Sequence, residues 1–191
     1  MHSRADPRRG VGVCAQAQRP RLAREPRRGT QRRRRALRAR GGSAEGDGRG
    51  RVIVADTGGV IALIDRDDKC HEVLRRAFES APEDWLLPWA ILPEVDHIVT
   101  ARLGRNAALR FREDVGQGLF TVEWNGAADI VRALELDALY ADLDLGLVDA
   151  VVMATAERVG ARAIATLDVR DFGSVSLAGD PELWPRDLPH R

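Results

Sequence analysis

Only two cysteines occur in the chain, Cys14 and Cys70, one in each half. That excludes a disulfide scaffold and the paired-cysteine spacing of a structural zinc site. No stretch approaches the roughly 18 consecutive apolar residues of a membrane span, and the N-terminal region lacks the apolar centre of a secretory signal. Also missing are a glycine-rich phosphate loop of the Walker or dinucleotide type and a serine nucleophile elbow. These absences point to a cytoplasmic protein without membrane association, whose chemistry must come from other side chains.

Charge is abundant, and it is divided. Residues 1–51 hold 16 Arg against the four acids Asp6, Glu25, Glu45 and Asp47, a net of +12. Residues 52–191 hold 14 basic and 25 acidic groups, a net of −11, so the overall +1 conceals two opposite halves. The basic half contains Arg32, Arg33, Arg34 and Arg35 in a row and almost no large apolar side chains. It cannot bury enough surface to offset its ordering entropy, so residues 1–51 are expected to be a disordered tail. Two roles are open to it. It is either an electrostatic arm for RNA or another polyanion, or a non-native extension, with Val52 in the place of an initiator.

From residue 52 the pattern is that of a folded domain. Val52 to Ala55 is a short β-branched run of the kind that forms a strand buried on both faces of a parallel sheet. Similar reasoning predicts strands at 85–88, 120–124 and 163–166, with a possible edge strand at 175–177. Apolar residues at intervals of three and four predict helices over 70–81, 105–115 and 127–140. Pro93 suits the first turn of a further helix, and Asp149 is expected to open an almost wholly apolar helix that Gly160 ends. Strands alternating with helices indicate an α/β fold with a central, mostly parallel sheet.

On this layout Asp56, Glu94, Asp149 and Asp168 each fall just past a strand or at the start of a helix. In an open parallel sheet such positions converge on one crevice at the carboxyl ends of the strands. Each has a local explanation of its own. Asp56 can form an Asx turn, Glu94 complements a helix dipole, Asp149 is a preferred N-cap, and Asp168 and Asp171 are turn formers. Convergence is what argues for function, because clustered carboxylates repel unless a cation neutralises them. Oxygen donors without a histidine or cysteine cluster favour Mg²⁺ or Mn²⁺ over zinc; His71, His97 and His190 are expected to be surface or packing residues. Gly58 and Gly59 either admit a phosphate close to the backbone or mark a turn. Arg102, Arg105, Arg110 and Arg112 form either a solvated helix face or a patch that steers a phosphate backbone.

The segments 52–59, Pro93-Glu94-Val95, Leu147-Val148-Asp149-Ala150 and 165–172, in this order, resemble the PIN-domain family and within it the VapC-type toxins. The resemblance spans residues 52–177. It implies a PIN-like three-layer fold for 52–191, with the sheet flanked by helices, and a Mg²⁺-dependent endoribonuclease that hydrolyses RNA phosphodiesters. It further implies that Asp56, Glu94, Asp149 and Asp168 are the catalytic metal-binding acids, with Asp171 an additional ligand. A VapB-type antitoxin partner and a homodimer are implied as well. The competing reading is a non-catalytic RNA-binding or regulatory module that uses the Arg-rich tail, its acids being structural. A receiver-like phosphoryl acceptor at Asp56 is disfavoured by the lack of a second aspartate two residues on.

Overall fold

A computed structural model describes residues 50–188. Residues 1–49, which carry nearly all of the Arg-rich segment and Cys14, lie outside the described residues, as does His190.

Five strands form one sheet in the order β3-β2-β1-β4-β5, every pair parallel. They are β1 (Ile53–Ala55), β2 (Trp85–Pro88), β3 (Thr121–Glu123), β4 (Ala163–Ala165) and β5 (Glu182–Trp184). The helices are α1 (Thr57–Ile64), α2 (His71–Ser80), α3 (Leu92–Leu103), α4 (Arg105–Gln117), α5 (Ala127–Leu139), α6 (Leu147–Val159) and α7 (Val169–Ser174). The sheet is therefore all parallel, as continuous apolar strands such as Ile53-Val54-Ala55 and Ala163-Ile164-Ala165 require: every one of these residues is buried. Among the described residues no helix is long and apolar enough to cross a membrane.

Helix α6 is the central helix. Ala150 through Ala156 are all buried, including Thr155, whose hydroxyl donates to the Val151 carbonyl at 2.7 Å and so carries no unsatisfied donor into the core. Gly160 ends α6 in the left-handed conformation with φ 59°, which a residue bearing a Cβ adopts only at a cost. At the amino ends of β2 and β3 Phe78 packs on Trp85 and Phe120 with centroids 5.5 and 5.3 Å apart, joining α2 to β2 and to the entry of β3. His71 is a packing residue: it is buried, and the Ala62 carbonyl accepts from its Nδ1 at 3.0 Å, tying α2 to α1. His97 is exposed.

Three expectations need correction. The edge strand is not at 175–177 but at Glu182–Trp184, paired with β4 through Ile164 and Leu183. The preceding turn is a short helix, α7, anchored by buried Phe172. Helix α6 starts at Leu147 with Gly146 as its N-cap, so Asp149 is its third residue and does not open it.

The topology locates a crevice. Strand order runs 1-2-3 on one side of β1 and 4-5 on the other, so the chain reverses its winding between β1 and β4. In open α/β sheets the opening for a ligand lies at that switch, beyond the carboxyl ends of the strands. Asp56 follows β1 directly, and Thr166 follows β4 directly.

Candidate active site

Asp56 is buried, and three donors hold it. The Thr166 hydroxyl donates to its Oδ2 at 2.9 Å across the switch point, Gly58 N–H donates to the same oxygen at 3.3 Å, and Thr57 N–H donates to Oδ1. Asp56 thereby caps α1, as an Asx reading expects, while its carboxylate faces the crevice. Burial raises its pKa, and the hydrogen bonds from Thr166, Thr57 and Gly58 offset part of that rise. Nearby Glu94 adds to it.

Gly59 answers the question left open by the glycine pair. A Cβ there would sit 2.1 Å from the Ala165 carbonyl oxygen, so Gly59 is needed for α1 to approach β4. The close contact is with the protein's own backbone. It brings the capping N–H groups of α1 and the Thr166 hydroxyl onto one carboxylate.

Glu94 is the third residue of α3 and accepts a 2.6 Å hydrogen bond at Oε2 from the Thr57 hydroxyl. Thr57 thus donates to two acids, Asp56 and Glu94, that are 38 positions apart in the chain. Asp168 caps α7, accepting from Asp171 N–H at 3.0 Å, and its own N–H donates to Thr166 Oγ1 at 3.0 Å. Thr166 therefore bridges Asp56 and Asp168. Nothing in the sequence singles out this threonine, since its place opposite Asp56 exists only once β1 and β4 pair.

Asp149 lies in the first turn of α6, with Gly146 leaving room beside its Oδ2. Its carboxyl is pushed up to about 6, first by burial and then by the negative charges of Asp56, Asp168, Glu94 and Asp171. Five carboxylates from β1, α3, α6 and α7 therefore act on one space. They are not in mutual ligating contact: among the described residues no three His, Cys, Asp or Glu side chains lie close enough together to hold a metal ion. Like charges keep one another apart. The donor set nevertheless suits a hard divalent cation, since it is all carboxylate oxygen and contains no imidazole or thiolate. Asp171 Oδ1 is buried without a hydrogen-bond partner, its nearest cation being Arg170 Nε at 3.6 Å.

Of the candidate basic patch, Arg112 is engaged elsewhere, its Nε and Nη2 donating to the two Asp96 oxygens at 2.6 and 2.9 Å. Arg102, Arg105 and Arg110 are exposed.

Comparison with known proteins agrees with this fold. "Ribonuclease VapC26" of Mycobacterium tuberculosis is 27% identical over 127 residues, covering 66% of this chain and 94% of that protein. The crystal structure of Mycobacterium tuberculosis VapC20, a Sarcin-Ricin loop cleaving toxin, superposes with a TM-score of 0.58 at 20% identity, covering 66% of this chain and 97% of that one. A DNA-bound VapBC from Salmonella typhimurium gives a TM-score of 0.54 at 16% identity, covering 69% and 96%. Both structures share the fold described above. The family model for the PIN domain matches residues 53–176, from the first residue of β1 to just beyond α7, and this chain belongs to the PIN-domain family.

Proposed function

We propose that the protein is a metal-dependent endoribonuclease of the VapC type, the toxin of a toxin–antitoxin pair acting in the cytoplasm. The observation that carries this reading is Asp149, whose carboxyl is held at about 6 by burial and by four other carboxylates at the switch point of the sheet. A site that accumulates this much negative charge is suited to binding a cation and, through it, a phosphate. The ribonuclease name of the VapC26 relative supports the substrate class.

Asp56, Glu94, Asp149 and Asp168 would hold Mg²⁺ or Mn²⁺, with Asp171 as a further oxygen donor. When bound, such an ion lowers the pKa of water and neutralises charge on the phosphate under attack. The protein's part is to fix the donors. Thr166, Thr57 and Gly58 orient Asp56, Thr57 orients Glu94, and Gly146 lets Asp149 lean over the start of α6.

The same cleft suits a small antitoxin that places an arginine or lysine among the acids, and the VapBC complexes with this fold support a VapB-type partner. A homodimer would set two such clefts beside one groove. The test is cleavage of total cellular RNA by the full chain in Mg²⁺ or Mn²⁺. We expect cleavage that EDTA abolishes and that Asp149→Asn lowers by at least about a hundredfold. RNA binding without metal-dependent cleavage would instead identify a non-catalytic RNA-binding module.

A further inference from the structure

Two tryptophans at the carboxyl edge of the sheet have no part in the core. Trp89 and Trp124 are 45% and 54% exposed, whereas Trp85 and Trp184 are buried. The exposed pair is stacked, with ring centroids 4.4 Å apart and planes inclined by 22°. Stacking removes one face of each indole from water and leaves the outer faces open, a rigid aromatic surface of the kind that soluble proteins reserve for binding.

Strand register places this pair beside the acids. Val54 is level with Leu86, and Pro88 is level with Glu123, so Asp56 lies in one row with Pro88 and Glu123. Trp89 and Trp124 are each one residue beyond that row. They leave the sheet one and two strand spacings from Asp56, about 5 and 10 Å.

Both rings stand on segments tied to the acid-bearing helices. The turn 89–91 leads directly into α3, which carries Glu94, and packs against α6, which carries Asp149. Next to Trp124, the Asn125 side-chain amide donates to Thr155 Oγ1 of α6 at 2.8 Å. Charge at this spot is also suitable. Arg158 pairs with both Glu123 and Asp129, reaching Glu123 Oε1 at 3.2 Å and Asp129 Oδ1 at 2.6 Å, and so offsets one of their two negative charges. The Arg158 side chain is 41% exposed, so it can still meet a phosphate.

We propose that the Trp89–Trp124 pair is the platform on which an unpaired nucleobase of the RNA stacks, setting the register of the strand relative to the carboxylate cleft. The inference rests on the ribonuclease reading above. Every base has a π-face, and aromatic platforms are a general means of holding single-stranded RNA. Base identity is then read through stacking strength, so the pair also biases which nucleotide flanks the cut.

The experiment compares the full chain with Trp89→Leu, Trp124→Leu and the aromatic replacements Trp89→Phe and Trp124→Phe, using single-stranded RNA oligonucleotides of varied sequence in Mn²⁺. Each Leu variant is expected to raise KM about tenfold with kcat nearly unchanged and to weaken the base preference beside the cut, while the Phe variants stay near wild type. The Mn²⁺-induced rise in Tm should be the same in all five proteins, which separates platform loss from damage to the acids. In EDTA, oligonucleotide should quench wild-type tryptophan fluorescence, since the buried Trp85 and Trp184 are shielded, and should quench it less in the Leu variants.

Leu variants with wild-type KM and base preference would overturn the platform while leaving the ribonuclease reading intact. So would sedimentation showing that Trp→Leu converts a wild-type dimer to monomer, because a second copy would then cover the rings. A wild-type protein that cleaves no RNA in metal would remove the ribonuclease reading and the platform with it.

Discussion

Asp149 is the residue at which function and stability oppose each other. Its carboxyl is raised from the ordinary value of 3.8 to about 6 in the folded protein, so the folded state binds more protons than the unfolded state between those values. The sign follows directly. Stability of the metal-free protein is highest below about pH 4 as far as this group is concerned, and declines as pH rises toward 6 and the carboxylate ionises among its neighbours. Above that window the penalty is complete. A shift of this size corresponds to about 3 kcal/mol, and partial solvent access reduces it to about 1–2 kcal/mol. Asp149→Asn removes the charge, so in EDTA at pH 7 we expect the variant to be more stable than wild type by about that amount. Urea midpoints from pH 4 to 7 check this: the wild-type curve should fall relative to the variant, with the gap closing at the acidic end. Mg²⁺ or Mn²⁺ should close the gap at neutral pH by binding the wild type.

At the scale of elements, the two helices α5 and α6 are joined by ion pairs at one end of the sheet. Asp129, almost wholly buried, accepts from Arg158, from Asn125 and from Gly126 N–H, while Arg132 forms a two-point bond with Glu157 at 2.7 and 3.2 Å. Burial alone would raise the Asp129 carboxyl, but these donors outweigh it and hold it below the usual carboxylate range. Its contribution is therefore present above the unfolded carboxylate pKa and is lost as pH falls through the lower folded value, opposite in sign to that of Asp149. Arg158→Ala leaves a buried carboxylate with only neutral donors. We expect a loss of about 2 kcal/mol, below the range for a fully buried pair because Arg158 is partly in solvent. Asp129→Asn should cost less, and in the double variant the two losses should be markedly non-additive in urea unfolding. Which elements could be read from the sequence follows similar physics. The strands β1, β2 and β4 are continuous apolar runs, and α2, α4 and α5 bury one stripe, so hydrophobic period alone reveals them. The edge strand β5 is three residues long and only Leu183 and Trp184 are buried, while α7 has Phe172 as its single buried anchor; neither is long enough to show a period. The acids stood out because each lies at an element boundary, just past a strand or in the first turn or cap of a helix. Thr166 and the Trp89–Trp124 stack were not, because their roles exist only once strands 85–88, 121–123 and 163–165 lie side by side.

The whole molecule raises the question of what its opposite charges do together. All five strands lie between Ile53 and Trp184, and the core is built from residues of that span. The proposed site residues Asp56, Glu94, Asp149 and Asp168 fall within it, and so does the PIN-domain match. Among the described residues, every acid of the cleft lies between 56 and 171. The 16 Arg of residues 1–51 would still bind a polyanion, because each phosphate neutralised releases counterions and makes affinity fall steeply with salt. The two halves should thus separate cleanly in experiment. A chain of residues 52–191 should keep metal-dependent cleavage, with kcat within about twofold of the full protein, since no side chain of the cleft has been removed. What it should lose is the salt-sensitive part of RNA binding: a plot of log affinity against log salt should be several units shallower than for the full chain. Affinities measured between about 50 and 200 mM salt, alongside cleavage rates, give both quantities. Retained cleavage with a flattened salt slope assigns the chemistry to the acidic half and only electrostatic capture to the arginines. Cleavage that disappears on truncation, with the fold intact by circular dichroism, would show that the arginines reach the reacting phosphate itself.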